Sequence, residues 1–221
     1  MTKSLEPSRT VEQETKLQLS SGEARALSTA GRLVKSVDQL NIYYDWEWRL
    51  ANEGATFRVR LESRGAPIIT LKLPLRSKVE GPRRMRELEL VETQLTLWPS
   101  GKRFLNVSED LLPAFAEPLL RMGMTTLARV GWMRNKRDRL IFDGVGTLEL
   151  DTVRLPKGVL YHEAEIESPD RVLHTRLTSL VQNLAPHAKP ATMSKFALFR
   201  LHASQSDWIP WVASRSGDEK A

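Results

Sequence analysis

The stretch Glu12-Gln13-Glu14-Thr15-Lys16 lies within a segment, Val11 to Leu19, in which charged and apolar residues alternate. Read with the two-residue period of a β-strand, Glu12, Glu14 and Lys16 point to one face, and a mostly apolar set points to the other. A face with two carboxylates and an ammonium either meets solvent or lines a wet cavity that requires charge. The same pattern recurs on several later segments, and this recurrence carries the functional argument.

The composition of the 221 residues is ordinary for a soluble globular protein, with 41% hydrophobic and 27% charged residues. No apolar run approaches the roughly 20 residues that span a bilayer, and the polar N-terminus lacks the apolar region of a signal peptide. Cysteine is absent, which excludes thiolate chemistry and fits a cytoplasmic location. The net charge of +6 favours an anionic partner: nucleic acid, a nucleotide, a polyphosphate or an acidic surface.

Alternation and turn residues predict many antiparallel strands and few helices. Residues 56–62 and 68–73 form a predicted hairpin. Further strands are predicted at 11–19, 40–45, 83–92, 130–137, 139–143, 147–155 and 159–167. Helical spacing and capping residues predict main helices over 21–36, 108–129 and 168–185, with short ones at 47–52 and 194–200. Because strands and helices do not alternate regularly, the pattern favours a sheet-rich α+β fold or a barrel over a parallel sheet.

Charges on the predicted strands are sorted by sign, with glutamates at i, i+2 spacing on three strands and bases on others. The acidic set is Glu12, Glu14, Glu87, Glu89, Glu163, Glu165 and Glu167, and the basic set is Lys16, Arg58, Arg60, Lys72, Arg134, Lys136 and Arg137. Solvated outer faces of an antiparallel sheet would explain any single strand. Ordinary surfaces, however, tend to mix Lys and Glu along one face. The alternative is a closed barrel with a polar lumen and helices on its apolar outside.

A lumen with both signs of charge suits a particular chemistry. Carboxylates without sulfur ligands or paired histidines favour a hard cation, Mg²⁺ or Mn²⁺. Arginine and lysine side chains in the same cavity suit phosphate oxygens. Together these groups are what metal-assisted phosphoryl transfer requires.

The order of the motifs resembles that of the CYTH superfamily, the triphosphate tunnel metalloenzymes. Glu12-x-Glu14-x-Lys16 resembles the family's ExExK signature. The later matches are Tyr43-Tyr44-Asp45, Phe57-Arg58-Val59-Arg60, Thr70-Leu71-Lys72, Arg86-Glu87-Leu88-Glu89, Leu150-Asp151, Glu163-Ala164-Glu165-Ile166-Glu167 and Ser194-Lys195-Phe196. Trp46 stands where the family has a threonine. The resemblance implies one tunnel domain, over 11–203. The residues on either side predict a disordered lead at 1–10 and a polar tail at 204–221.

The resemblance also implies a fold and a site. The fold is an α+β, eight-stranded antiparallel β-barrel, a tunnel with helices packed on its outside. Glu12, Glu14, Glu165 and Glu167 would hold Mg²⁺ or Mn²⁺, and Glu12, Glu14 and Lys16 would act in catalysis. The side chains that would contact the phosphates are Lys16, Arg58, Arg60, Lys72 and Lys195. The segment Arg134, Lys136, Arg137 would also contact them, but it aligns with the family's motif in two registers. Alternation favours the register in which Arg134 and Lys136 face inward. Further acidic lumen residues would be Glu87, Glu89, Asp151 and Glu163.

The resemblance implies a triphosphatase, which hydrolyses inorganic tripolyphosphate, thiamine triphosphate or a nucleoside triphosphate. Class IV adenylate cyclase is the alternative within the family. A non-catalytic module that binds polyphosphate or nucleic acid is the alternative from another class, although the basic runs lack the nearby aromatics or glycines of a nucleic-acid patch. No membrane partner is expected. The oligomeric state stays open, with a homodimer among the alternatives.

Overall fold

A computed structural model describes residues 8–63, 65–75, 83–91, 102–167 and 170–203, without the side chains of 9–13 and 83–85. The predicted tail at 204–221 and the first seven residues of the predicted lead therefore lie outside the described residues. In the described ranges no helix is long and apolar enough to cross a bilayer.

Ten strands and six α-helices make up the described part of the chain. The strands are β1 Ser8–Leu19, β2 Arg32–Asp45, β3 Thr56–Glu62, β4 Ile68–Pro74, β5 Arg83–Val91, β6 Phe104–Asn106, β7 Thr126–Phe142, β8 Gly146–Arg154, β9 Leu160–Glu167 and β10 Lys189–Pro190. The helices are α1 Ser21–Ala30, α2 Arg49–Asn52, α3 Val107–Asp110, α4 Pro113–Arg121, α5 Arg171–Leu184 and α6 Lys195–His202.

Eight of these strands pair in a circuit. The order is β1-β5-β4-β3-β2-β7-β8-β9, and β9 pairs again with β1. The two ends meet on β1 because residues 8–14 pair with β5 and residues 14–19 pair with β9. All pairings are antiparallel. The predicted α+β class with an antiparallel tunnel barrel is confirmed.

Two layers of helices cover the apolar outer faces of these strands. Helices α1 and α5 pack on β1, β7, β8 and β9, where Leu27 and Val181 are fully buried with Leu140. Helices α3 and α4 pack on β3, β4 and β5, where Phe115 and Leu119 are buried against Phe57. Each fully buried apolar side chain stabilises the fold by roughly 1.5–3 kcal/mol relative to exposure. The helical layers therefore hold the barrel while its inner faces stay polar.

One end of the barrel interior is apolar. Met133, Val153 and Tyr161 share strand faces with the inward residues of β7, β8 and β9, and they form a buried cluster with Phe196 and Phe199 of α6. Helix α6 therefore covers this end of the barrel. The polar cavity lies further along the same strands.

The predicted helix over 21–36 is too long. Helix α1 ends at Ala30, and the chain enters β2 at Arg32, which pairs with Ile141 of β7. Glycine at position 31 allows the chain to pass from α1 into β2 close to Phe142. Any other residue would collide there, because its Cβ would lie 2.8 Å from the Phe142 ring. Val34, which lies inside the predicted helix over 21–36, is half exposed in a strand.

The predicted helix over 108–129 is also wrong in extent. The segment holds α3 and α4, and β7 already begins at Thr126. Pro113 starts α4 at its first position, where its missing N–H costs nothing. Three strand predictions also differ from the structure. β1 begins at Ser8 rather than 11, β2 begins at Arg32 rather than 40, and the predicted strands 130–137 and 139–143 are one strand.

Candidate active site

The barrel encloses a polar cavity of about 410 Å³. Its charged lining residues come from eight strands and from α6. They are Lys16, Lys35, Arg58, Arg60, Glu62, Lys72, Glu87, Glu89, Arg137, Arg139, Glu149, Glu165, Glu167 and Lys195. Tyr43 and Phe196 are the aromatic residues among the described lining, and both lie at the end that α6 covers.

One wall, formed by β3 and β4, is basic. Arg58, Arg60 and Lys72 face Glu87 of β5, which lies 4.0 Å from Arg58 Nη2 and 3.5 Å from Lys72 Nζ. Arg60 donates from Nε to the Asn41 side-chain oxygen at 3.3 Å. Among the described residues, the buried Nε of Arg58 has no hydrogen-bond partner. Glu62 of β3 and Glu89 of β5 also line this side of the cavity.

The environment of this wall changes the pKa of Arg60. Burial and the repulsion of Arg58 and Arg137 lower the pKa of Arg60 to about 10. The guanidinium stays protonated at neutral pH, but at a free-energy cost that an anion in the cavity would remove.

The facing wall, formed by β1 and β9, is acidic. Carboxylate oxygens of Glu14, Glu165 and Glu167 lie within 4.8 Å of one another. Lys16 Nζ lies 3.0 Å from Glu14 Oε1 and 3.1 Å from Glu165 Oε1. Burial lowers the pKa of Lys16, but Glu165 and Glu14 outweigh it and raise that pKa above its ordinary value. Glu14 Oε2 is buried and has no hydrogen-bond partner among the described residues.

A second acidic group lies deeper, on β8 and β9. Oxygens of Asp151, Glu163 and Glu165 lie within 4.8 Å of one another, and all three side chains are buried. Lys195 Nζ lies 2.8 Å from Asp151 and 2.5 Å from Glu163 and also contacts Glu165. Burial opposes the ammonium, but these acids raise the pKa of Lys195 well above its ordinary value.

Arg137 links the two acidic groups. Its Nε and Nη2 donate to the two oxygens of Asp151 at 2.8 and 2.6 Å, and Nη2 also donates to Glu165 at 2.5 Å. Glu149 contacts its Nη1. Burial would raise the pKa of Glu165, but Arg137, Lys16 and Lys195 hold it well below its usual range. Glu165 is therefore ionised and is shared among three cations.

The comparisons with known proteins agree with this geometry. The CYTH domain model matches residues 11–191. The chain belongs to the CYTH family. A comparison with curated protein sequences gives no match.

Solved structures share the CYTH fold. A Hippeastrum protein described as a candidate adenylyl cyclase with a dominant triphosphatase activity is 21% identical, with a TM-score of 0.65 over 88% of this chain and 98% of its own. A candidate adenylate cyclase from Bacillus halodurans is 17% identical, with a TM-score of 0.63 over 86% and 98%. The PH1819 protein from Pyrococcus horikoshii is 16% identical, with a TM-score of 0.55 over 87% and 99%.

Most residues predicted for the CYTH site meet around one cavity. Those that line it are Lys16, Arg58, Arg60, Lys72, Glu87, Glu89, Arg137, Glu165, Glu167 and Lys195. Glu14, Asp151 and Glu163 are buried directly beside these residues. Glu12 lies on β1, but its side chain is outside the described part of the chain.

The register that alternation favoured for β7 is wrong. Arg134 and Lys136 are exposed on the outer face, where Arg134 lies over the Trp132 ring at 6.0 Å. Arg137 lines the cavity instead, on the same face as Asn135 and Arg139. Alternation failed here because the inward face of β7 is apolar at the end covered by α6, where Met133 is buried.

Four charged residues of the cavity lining were not predicted: Lys35, Glu62, Arg139 and Glu149. Glu149 shares a strand face with Asp151, and Arg139 shares one with Arg137, so the i, i+2 rule would have found both. Arg139 was separated from Arg137 by the predicted break at Asp138, where β7 in fact continues. Arg139 donates to Glu149 at 2.8 Å, and the pair lies at the cavity rim.

Proposed function

We propose that this CYTH chain is a metal-dependent hydrolase of triphosphate compounds that acts inside the barrel cavity. One observation carries the proposal: the basic wall and the acidic wall each hold a buried polar atom without a hydrogen-bond partner among the described residues, Arg58 Nε on one and Glu14 Oε2 on the other. An anion would stabilise the first, together with the buried Arg60 beside it, and a cation would stabilise the second. A metal-bound polyphosphate supplies both at once.

The acidic wall fits a hard divalent cation. Its donors are all carboxylate oxygens, the type of ligand that Mg²⁺ and Mn²⁺ prefer. Glu14, Glu165 and Glu167 would hold the ion, with Glu12 as a further candidate. When bound, such an ion polarises phosphoryl oxygens and lowers the pKa of a coordinated water.

The basic residues have separate tasks in this proposal. Arg58, Arg60 and Lys72 bind the non-reacting phosphates and fix the chain of phosphorus atoms along the cavity. The arginine forks can each donate two parallel hydrogen bonds to phosphate oxygens. Lys16 stays protonated between Glu14 and Glu165 and can donate to the phosphoryl group that is transferred. Negative charge on that group is then stabilised by donors that are already oriented.

Hydrolysis needs a water molecule in line with the bond that breaks. We place that water beside Glu14, whose carboxylate can orient an O–H of the water while it holds the ion. The water oxygen forms a bond to the terminal phosphorus as the bridging P–O bond breaks. The pair of electrons leaves with the bridging oxygen, so tripolyphosphate gives orthophosphate and pyrophosphate.

The test is a panel of triphosphates, assayed with Mg²⁺ and with Mn²⁺ and with identification of the products. Tripolyphosphate, thiamine triphosphate and ATP should be compared in the wild type, in Glu14→Gln and in Glu53→Gln, which neutralises an exposed carboxylate outside the cavity. We expect Glu14→Gln to lower the turnover of the best substrate by about 100-fold or more with folding retained. Full turnover in Glu14→Gln would overturn the metal assignment.

The same panel decides the alternative of a cyclase, which two structural neighbours raise through their descriptions as candidate adenylyl or adenylate cyclases. A cyclase would convert ATP to cyclic AMP and pyrophosphate, with the ribose 3′-hydroxyl in place of water. A hydrolase would release orthophosphate or ADP. Binding of triphosphate without turnover by any route would favour a non-catalytic module.

A further inference from the structure

Lys195 occupies the centre of a carboxylate group that has the composition of a metal site. Its ammonium lies 2.8 Å from Asp151 Oδ2 and 2.5 Å from Glu163 Oε1, and it contacts Glu165 Oε1. These three acids are 0–3% exposed, and one oxygen from each lies within 4.8 Å of the others. Three buried carboxylates at this spacing require a cation at their centre.

The three donors of the ammonium are taken up by these acids. A lysine ammonium has three N–H groups and no acceptor, and three carboxylates lie within 2.8 Å of Lys195 Nζ. No donor is therefore left for a phosphate oxygen in this arrangement. Arg58 has the opposite character, because its Nε has no partner among the described residues.

Packing of α6 fixes the position of Lys195. Ser194 precedes it and caps the helix by accepting a hydrogen bond from the Ala197 N–H at 3.2 Å. The next aromatic residue, Phe196, stacks on Tyr43 with ring centroids 4.7 Å apart. Phe199 is accommodated by Gly131, where a Cβ would lie 2.4 Å from the phenyl ring. The ammonium is thus held by a rigid element rather than by a mobile side chain alone.

Neighbouring side chains satisfy the remaining oxygens of Asp151 and Glu163. Tyr161 donates to Glu163 Oε2 at 2.8 Å, so that carboxylate is satisfied on both oxygens. Arg137 satisfies both oxygens of Asp151. Only Glu165 belongs to both acidic groups, and it connects this centre to the wall that includes Glu14.

We propose that Lys195 is a tethered cation that fills a second metal position, so that the chain holds a single divalent ion, at Glu14, Glu165 and Glu167. This inference rests on the proposed function for that first ion. It makes Lys195 a positioning residue and assigns direct phosphate contact to the other bases. It also predicts that removal of the ammonium opens Asp151, Glu163 and Glu165 to a divalent cation.

The experiment is Mn²⁺ titration of the metal-free protein, followed by calorimetry and by electron paramagnetic resonance, which detects coupling between neighbouring Mn²⁺ ions. Lys195→Met removes the charge at similar side-chain length. We expect one ion per chain in the wild type and two coupled ions in Lys195→Met. The double variant Lys195→Met/Glu163→Gln should return to one. Lys72→Met, the same change at a cavity lysine that faces Glu87, should keep one.

The outcomes separate the two proposals. Two ions in the wild type, or one ion in Lys195→Met, would overturn the role of Lys195. No ion in the wild type with one in Lys195→Met would support that role and contradict the proposed Glu14 site. If Lys195→Met folds only with Mn²⁺ present, the inference is supported. Failure to fold at any Mn²⁺ concentration would contradict it, since the ion should replace the ammonium.

Discussion

Arg58 and Arg60 line the cavity, where burial and the repulsion of Arg58 and Arg137 lower the pKa of Arg60. Lys195 and Arg137 show the reverse, since each contacts at least three acids. The difference separates bases that stabilise buried carboxylates from bases that are available to a ligand. A buried charge with an incomplete set of partners destabilises the unliganded protein. We therefore expect stability and substrate binding to oppose one another at the arginine pair.

Arg60→Gln should show this opposition directly. Loss of the guanidinium removes repulsion with Arg58 and Arg137, so the melting temperature of the unliganded protein should be equal to or above that of the wild type. The same change should lower kcat/KM for tripolyphosphate by about 10- to 100-fold, because a charged hydrogen bond is worth roughly 1.5–3 kcal/mol. Differential scanning fluorimetry and steady-state kinetics measure the two effects. A clear loss of stability with unchanged kcat/KM would contradict the assignment.

The buried carboxyl of Asp45 should make the stability of the protein depend on pH. Burial outweighs three backbone N–H donors, from Trp46, Leu50 and Ala51, and raises the pKa of Asp45 to about 6. Because the pKa of Asp45 is higher in the folded protein than in the unfolded chain, protonation of Asp45 stabilises the fold. This contribution is complete below about pH 4 and is lost as pH rises through about 6.

Urea unfolding of wild type and Asp45→Asn between pH 4 and pH 8 tests this sign. The difference in unfolding free energy, wild type minus variant, should fall by up to about 3 kcal/mol across that range, from a shift of about two pKa units. The variant supplies the baseline for all other titrating groups. A difference that is constant with pH, or that rises, would show that the backbone donors dominate instead.

At the scale of elements, the site depends on how α6 docks on the barrel. The helix places Lys195 among the acids, and its aromatic residues stack against Tyr43. Gly131 of β7 provides the space, with φ at +148° and the Phe199 ring against its Cα. A side chain at Gly131 would destabilise the fold in two ways: it would strain the backbone at this positive φ, and it would collide with the Phe199 ring.

Gly131→Ala should therefore lower the unfolding free energy by about 1–3 kcal/mol. It should also reduce turnover, because displacement of α6 moves Lys195. Gly22→Ala is the matched control: Gly22 lies in the first turn of α1 with no atom within 4 Å of an added Cβ. The control should keep wild-type activity and be at least as stable. Equal melting temperatures for Gly131→Ala and wild type would refute the docking argument.

At the scale of the whole molecule, the barrel holds two walls of opposite charge at a fixed separation. A ligand that bridges them should stabilise the complete fold. Tripolyphosphate with Mg²⁺ at about 100 times the dissociation constant should add about 2.7 kcal/mol. This corresponds to a rise in melting temperature of about 5–10 °C for a chain of this size. Orthophosphate at the same concentration is the control, and an equal rise with it would exclude recognition of a triphosphate.

Much of this architecture could be predicted from the sequence. Period-two alternation in Glu163-Ala164-Glu165-Ile166-Glu167 determines which side chains face inward once the outer face is buried by helices. The ordered motifs then identified the family, and residues such as Arg58 and Lys72 were found on the cavity wall. These predictions succeed because burial on one face and charge on the other are local properties of a strand.

Other features depend on tertiary contacts and could not be predicted from the sequence. The apolar cluster under α6 reverses the inward pattern near Met133, so alternation selected Arg134 and Lys136 instead of Arg137. The end of α1 is set by the approach of Gly31 to Phe142, about 110 residues later in the sequence. The environment of Lys195 is likewise visible only when β8, β9 and α6 are assembled.

The most direct test of the central claim is the release of orthophosphate from tripolyphosphate by the wild-type chain as divalent metal is removed and returned. We expect release with Mg²⁺ or Mn²⁺, loss of at least about 100-fold with excess EDTA, and recovery when the metal is restored. Glu14→Gln should stay inactive throughout. Release that persists in EDTA, or no release under any metal condition, would contradict a metal-dependent triphosphatase in this cavity.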